Sequence, residues 1–393
     1  MPLWRRRACF ILLVSESFLH SNPLNTTKIS ELTPAGLPAD DRTFARAFRV
    51  LDEAIEAKAF PAASVAITYA GQLLMVKALG RFTYEADSPF VTTGTIFDLA
   101  SVSKVVATTT MAMILYERGL LDLDTPIIGV VPEFASEDIR RNEITVRMLL
   151  AHSSGLPAHE KLYSRTSNKQ ELQQAALRVP LKADPGTHAE YSDIGFIALG
   201  LALERIAEDT LDVFCKREIF GPLGMSHTSF NPPSTLRSSI PPTADDRTFR
   251  KRVVQGEVYD ENASVMGGVA PHAGVFATAA EVAGFALAML SGAPIVRPET
   301  IATFTIRQSS PPGTSRALGW DTPSTPSLSG KYFSASSFGH LGYTGTSLWI
   351  DPERQLSVTL LTNRTWPDCS NQAIKEVRPG FHDAVIEALE KTT

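Results

Sequence analysis

The feature that most restricts how this chain can fold is where its strand-like segments lie. They sit at the two ends of the sequence and not in between. Ser64–Ala70 and Gln72–Ala78, rich in Val, Ile, Leu and Met around Gly71, read as the two strands of a hairpin. Phe338–Tyr343, Ser347–Ile350 and Leu356–Asn363 are bounded by Gly, Asp-Pro and Asn and read as three more. Between Ser101 and Leu290 the periodic segments are helical: Val102–Arg118, ended by Gly119, then Asp193–Ala207, with Ile194, Ile197, Ala198 and Leu201 on one face, then Glu281–Leu290. A helix carrying Phe44, Phe48, Leu51 and Ile55 on one stripe precedes the hairpin, and Gly380–Leu389 closes the chain. Strands from both ends most simply join one antiparallel sheet, with the helical part as a second lobe. The expected organisation is a flexible tail or signal segment over 1–40, a discontinuous α/β domain over 41–98 plus 275–393, and a mainly helical domain over 99–274.

Composition narrows the class. Hydrophobic residues make up 44% and charged residues 20% of 393, which excludes a disordered or fibrous chain. The formal charge is -5, and no lysine- or arginine-rich face is suggested beyond Arg5-Arg6-Arg7, so nucleic acid is not an expected partner. No apolar run approaches the ~18 residues of a membrane-spanning helix. Cys9, Cys215 and Cys369 are scattered, with no C-x-x-C, and the eight histidines show no ligand spacing. Neither a disulfide framework, a metal nor another cofactor is expected. Arg5–Arg7 followed by Ala8–Val14 has the outline of a signal peptide, interrupted by Glu16; the alternative is a frayed tail. A periplasmic or extracellular location is favoured on that segment, with the cytoplasm left open. The oligomeric state is not set by the sequence.

Common enzyme signatures are missing: there is no G-x-S-x-G, H-E-x-x-H, Walker loop or G-x-G-x-x-G. One S-x-x-K is present, Ser101-Val102-Ser103-Lys104. Such a short motif arises by chance, so its context decides. Ser101 opens an apolar helix containing Val102, Val105, Val106, Met111, Ile114 and Leu115. Positions i and i+3 share a helix face, which puts the Lys104 ammonium beside the Ser101 hydroxyl. The helix N-terminus there favours developing negative charge. A serine hydroxyl needs a base to become a nucleophile, and burial lowers a lysine pKa toward that role. The residues alone leave a second reading open, an N-cap serine followed by a surface lysine.

Two further landmarks follow in order, Tyr191-Ser192-Asp193 and His340-Leu341-Gly342. With Ser101–Lys104 they resemble the S-x-x-K, Y-x-N and K-T-G or H-x-G set of the penicillin-binding-protein and class C β-lactamase-like serine hydrolases. Leu149–Leu156 and Gly274–Ala279 are similar to the same family, and the similarity runs from about Phe44 to Leu389. The run from Gly339 to Pro352 looks most like muropeptide amidase-type and penicillin-binding-protein-4B-like members. The resemblance implies a β-lactamase/transpeptidase-like fold: a five-stranded-type antiparallel sheet flanked by terminal helices, a large helical insertion, and an active site between the lobes. It implies an acyl-enzyme on Ser101, with Lys104 and Tyr191 managing the proton, and an oxyanion hole from the N–H groups of Ser101 and Tyr343.

The individual residues add physical expectations. A phenol near a cation has a lowered pKa, which would let Tyr191 shuttle a proton; a staple position before a helix is the other reading. Asp193, where the family carries Asn, would favour the charged form of Lys104, and an N-cap role is compatible with this. His340, where the family often carries Lys, would be neutral and attract a substrate carboxylate less; a strand-end surface histidine is the alternative. Gly342 permits close backbone approach of a substrate along the strand edge. His152 is expected to be structural, and His272 either lines the pocket or serves a loop. The favoured substrates are amide or ester groups of cell-wall peptides or muropeptides. A carboxylesterase or β-lactamase on the same scaffold, or a non-catalytic penicillin-binding or sensing module, are the alternatives.

Overall fold

The computed structural model describes residues 41–391; the tail or signal segment expected over 1–40 lies outside them. The first hairpin forms around Gly71, whose φ of +78° favours glycine. Its strands are β1 (Ala62–Tyr69) and β2 (Gln72–Gly80). The C-terminal strands are β3 (Phe338–Leu341), β4 (Ser347–Asp351) and β5 (Leu356–Thr362). They join one five-stranded sheet in the order β2-β1-β5-β4-β3, and every neighbouring pair is antiparallel. The two ends of the chain meet in its middle, where Val65 lies opposite Leu360 and Ile67 opposite Val358. The hydroxyls of Thr68 and Ser357, 289 residues apart in sequence, are 2.6 Å apart across this pair.

Five helices frame the site: α1 (Ala45–Glu56), α2 (Thr110–Glu117), α3 (Asp193–Ala207), α4 (Ala279–Ser291) and α5 (Ile374–Glu390). Side chains alternate between the two sheet faces. Ala63, Val65, Ile67, Val358 and Leu360 pack against Phe44, Phe48 and Leu51 of the α1 region and Phe381 and Val385 of α5. Ala62, Ala66, Ile350 and Leu361 face a larger core with Phe285 of α4, Trp320 and the helical lobe. Because both faces are covered, the strands read as nearly continuous apolar runs. No helix of the described residues is long and apolar enough to cross a membrane.

Three of the differences from the sequence reading have a local reason. The expected single helix over Val102–Arg118 is a 3-10 turn at Ala100–Val102, a π-helical stretch over Lys104–Thr109 and then α2. The Thr110 hydroxyl donates to the Val105 carbonyl five residues back, and Thr108 donates to Pro271, so threonine side chains take carbonyls in this widened stretch. The last helix starts at Ile374 rather than Gly380 and carries Pro379 inside it. Burial of Ile374 and Phe381, and bonds from Arg378 to the carbonyls of Gly342 and Gly345, hold the turns around that proline. Strand β3 ends at Leu341, two residues short of Tyr343, because the Gly342 N–H closes a tight turn onto the Thr346 carbonyl at 2.8 Å.

Phe381 is fully buried between α5 and the sheet. Phe381→Ala is expected to lower unfolding stability by about 3–5 kcal/mol, read by urea denaturation.

Candidate active site

The turn that presents Ser101 is held by segments distant from it in sequence. Phe97 and Asp98 pair with Ala277 and Phe276, and the Leu99 N–H donates to Val275, which anchors the approach. Ala100 then adopts φ +45°, a left-handed conformation uncommon for alanine. The buried Asp98 carboxylate steadies it by accepting from the Ala100 N–H at 2.8 Å and the Tyr259 N–H at 2.7 Å. Burial pushes the Asp98 pKa up to about 6, against the pull of those two bonds. From the other side, Thr344 donates to the Asp98 carbonyl at 2.9 Å and Thr346 to the Leu99 carbonyl at 2.8 Å. This clamp requires glycine at 342, where a Cβ would stand 2.5 Å from the Leu99 carbonyl oxygen.

Lys104 is fully buried behind Ser101. Its ammonium donates to the Ser101 hydroxyl at 3.2 Å and to the main-chain carbonyl of His272 at 2.8 Å. It contacts the Asp193 carboxylate at 2.7 Å and lies 4.9 Å from the centre of the Tyr191 ring. Burial works against the charge, but Asp193 and Tyr191 outweigh it, so the Lys104 pKa is raised. The reading of Lys104 as a surface lysine is therefore excluded, and Asp193 acts on it in the expected direction.

The N-cap of α3 is Ser192, not Asp193: its hydroxyl accepts from the Gly195 N–H at 2.9 Å and donates to the Pro157 carbonyl at 2.7 Å. This frees Asp193, the first residue of the helix, to point its carboxylate at Lys104. The Tyr191 hydroxyl is buried without a well-formed hydrogen bond. Its pKa is raised, contrary to the lowering expected from a nearby cation. Burial dominates, and Lys104 and the Ser101 hydroxyl only partly offset it.

Two buried histidines flank Tyr191, their ring centres 4.6 Å (His152) and 5.9 Å (His340) away. His152 accepts from the Ser192 N–H through Nδ1 at 3.0 Å and stacks on Phe196, a structural role. His340 is buried, not a surface strand end. Its Nδ1 donates to the Leu341 carbonyl at 2.8 Å, which leaves Nε2 as an acceptor without a protein partner. Burial, Lys104 and Arg316 hold its pKa well below the ordinary value, so it is neutral at pH 7. His272 does not line the cleft; it meets Asp260 at 2.9 Å and offers Lys104 its carbonyl.

Ser101, Tyr191, His340, Gly342 and Tyr343 open onto a cleft of ≈340 Å³. Its wall also carries Arg316, Arg364, Lys375 and Arg378, which the sequence reading did not single out, with Asp321 as the acidic lining residue. Arg316 and Arg364 come from separate segments and Lys375 and Arg378 from one turn of α5, and no short motif joins the three places. Among the described residues one group has metal-ligand chemistry: atoms of His159, Asp193 and Asp260 lie within 4.8 Å of one another. Two of its three members are already engaged, Asp193 with Lys104 and Asp260 with His272.

Residues 47–377 match the family model described as Beta-lactamase. The chain is 30% identical over 360 residues to the N-acetylmuramyl-L-alanine amidase of Bacillus subtilis (strain 168), covering 80% of each protein. Among solved structures it is similar to EstCE1, a hydrolase with promiscuous acyltransferase activity, with a TM-score of 0.70 at 23% identity over 88% of this chain and 99% of that one. It is also similar to a class C β-lactamase from Rhodobacter sphaeroides, with a TM-score of 0.67 at 21% identity over 88% of this chain and 99% of the other. The fold those structures share is the one described above, and the chain belongs to the β-lactamase family of serine hydrolases.

Proposed function

We propose that the chain cleaves amide or ester bonds of cell-wall peptides or muropeptides through an acyl-enzyme on Ser101. The observation that carries this reading is the contact of the Ser101 hydroxyl with a fully buried Lys104, beside Tyr191, at the mouth of the cleft. The similarity to a muramyl-alanine amidase supports the substrate class.

In this reading Ser101 attacks the carbonyl carbon and its proton passes to the Lys104–Tyr191 pair. That pair titrates as a unit, and its reactive form is the one short of a proton. The raised pKa of each member makes this form scarce in the free enzyme near neutrality. The carbonyl oxygen, as it gains charge, is received by the N–H groups of Ser101 and Tyr343. Donors of this kind are worth about 3–4 kcal/mol each in acyl transfer. The clamp from Thr344 and Thr346 onto Asp98 and Leu99 supports their spacing, since it ties the two loops together. The pair then returns the proton to the leaving group, and water repeats the sequence in reverse. His340 Nε2 is available to accept a hydrogen bond from a substrate N–H.

The direct test is intact-protein mass spectrometry with a fluorophosphonate and then a penicillin. A phosphonate adduct is expected on the wild type and absent from Ser101→Ala. A long-lived penicilloyl adduct supports cell-wall peptide chemistry, and rapid turnover points to β-lactamase activity instead. If the wild type and Ser101→Ala label alike, Ser101 is not the nucleophile. Lys104→Ala and Tyr191→Phe are each expected to lower kcat by roughly 10²–10⁴ on a chromogenic ester. Asp193→Asn removes the charge that raises both Lys104 and Tyr191, so the reactive form is reached at lower pH. The rising limb of kcat/KM against pH should therefore move toward acid; an unmoved limb would show that the pair is not the base.

A further inference from the structure

Three side chains with metal-ligand chemistry meet at a place that does not line the cleft: one atom each of His159, Asp193 and Asp260 lies within 4.8 Å of the others. They are far apart in sequence, which is why no ligand spacing announces them. His159 sits in the loop after Leu156, Asp193 opens α3, and Asp260 caps the short helix Glu261–Val265. These segments are tied to one another. The Asp193 N–H donates to the Ala158 carbonyl at 2.9 Å and the Ser192 hydroxyl to the Pro157 carbonyl at 2.7 Å, which fixes the His159 loop against α3. Asn262, fully buried, donates to the Glu160 carbonyl at 2.9 Å and accepts from the Tyr163 N–H at 2.9 Å, which fixes the same loop against the segment carrying Asp260. The backbone thus sets the three donors side by side before any ion arrives.

The existing contacts of the two carboxylates leave donor capacity over. Asp193 meets Lys104, and Asp260 meets His272 and the Ala263 N–H, each through Oδ1. Among the described residues the Oδ2 atom of neither carboxylate is hydrogen-bonded. Asp193 Oδ1, enclosed and 2.7 Å from Lys104, is itself without a well-formed hydrogen bond. His159 is exposed, and its ring makes no hydrogen bond among the described residues. An imidazole with two carboxylates suits Zn²⁺ and similar transition ions, whereas Mg²⁺ and Ca²⁺ take oxygen ligands. Donors at about 2.0–2.2 Å around a tetrahedral Zn²⁺ stand roughly 3.4 Å apart, so closing the trio takes about an ångström of movement, within reach of a rotation of the exposed His159 side chain. From this we infer that His159, Asp193 and Asp260 form a three-ligand site for a divalent transition ion of the zinc class, with solvent as the fourth ligand. Asp193 is then shared: the ion and Lys104 draw on one carboxylate, so the site adjoins the groups behind Ser101. It stands or falls separately from the acyl-enzyme reading, because binding is read without turnover.

The test titrates zinc sulfate into the untagged chain, stripped with EDTA and desalted, by isothermal calorimetry. The wild type should bind one equivalent. His159→Ala should weaken binding by about tenfold or more, since losing a ligand costs at least as much as losing an outer-shell partner. His227→Ala removes an exposed histidine that meets only Glu281, and should bind zinc as the wild type does. Lys104→Ala removes the competing ammonium and should tighten binding several-fold. That variant also loses a buried partner, so its fold is checked by circular dichroism, and where it is unfolded His159→Ala alone decides. Cobalt chloride in place of zinc should give the visible absorption of a four-coordinate nitrogen–oxygen site in the wild type and not in His159→Ala. No zinc binding by the wild type, equal binding by His159→Ala, or magnesium bound as tightly as zinc would overturn the site. An unchanged affinity in folded Lys104→Ala would show that Asp193 is not a ligand and would overturn the trio as drawn.

Discussion

The pairing of β1 with β5 is the constraint on which the rest depends. It brings segments nearly three hundred residues apart into one ladder, and the sheet so formed is the floor for both cores. The Ser101 turn hangs from the first half of the chain, at Phe97–Asp98. The turn that clamps it, Gly342 to Thr346, hangs from the second. Neither segment is shaped for chemistry by itself. Ala100 is in a disfavoured conformation, and Gly342 has no side chain to pack. Their fit depends on the sheet having placed them in contact.

Behind the serine, the site resolves a conflict between burial and charge. Lys104 is fully enclosed, which alone would drive off its proton, yet Asp193 at 2.7 Å keeps the proton on. An asparagine at 193 would supply no such charge. Lys104 and Tyr191 are therefore held more tightly protonated than their landmarks alone imply, a chemical difference set by one residue at the head of α3. Capping that helix through Ser192 makes this possible, because the carboxylate next to it is not consumed by the helix end.

Much of this was legible in the sequence. The strand signals at both ends, with helical periods between, lead to one antiparallel sheet, because alternating or continuous apolar runs bounded by glycine have few other uses. Ser101, Lys104, Tyr191 and Gly342 were legible because each sits in a short ordered motif, and Tyr343 because it follows the last of these; all but Lys104 line one cleft, and Lys104 contacts Ser101 from behind. What escaped was set by burial and by contacts across the fold. The phenol of Tyr191 is surrounded by aromatic rings and its pKa goes up, which no neighbour in sequence reveals. The last helix was legible only from Gly380, yet it begins at Ile374, and bonds from Arg378 to another loop hold the turns around Pro379. Arg316, Arg364, Lys375 and Arg378 converge only in three dimensions.

The split ancestry of the sheet also sets the order of events during synthesis. The helical lobe and the hairpin leave the ribosome long before β5 and α5 exist, so the serine turn emerges without Thr344, Thr346 or Arg378 to hold it. Ladders joining such distant segments close late and slowly. A growing chain thus carries Ser101 on an unclamped turn, and that turn is fixed only with the last strands, when the finished molecule locks.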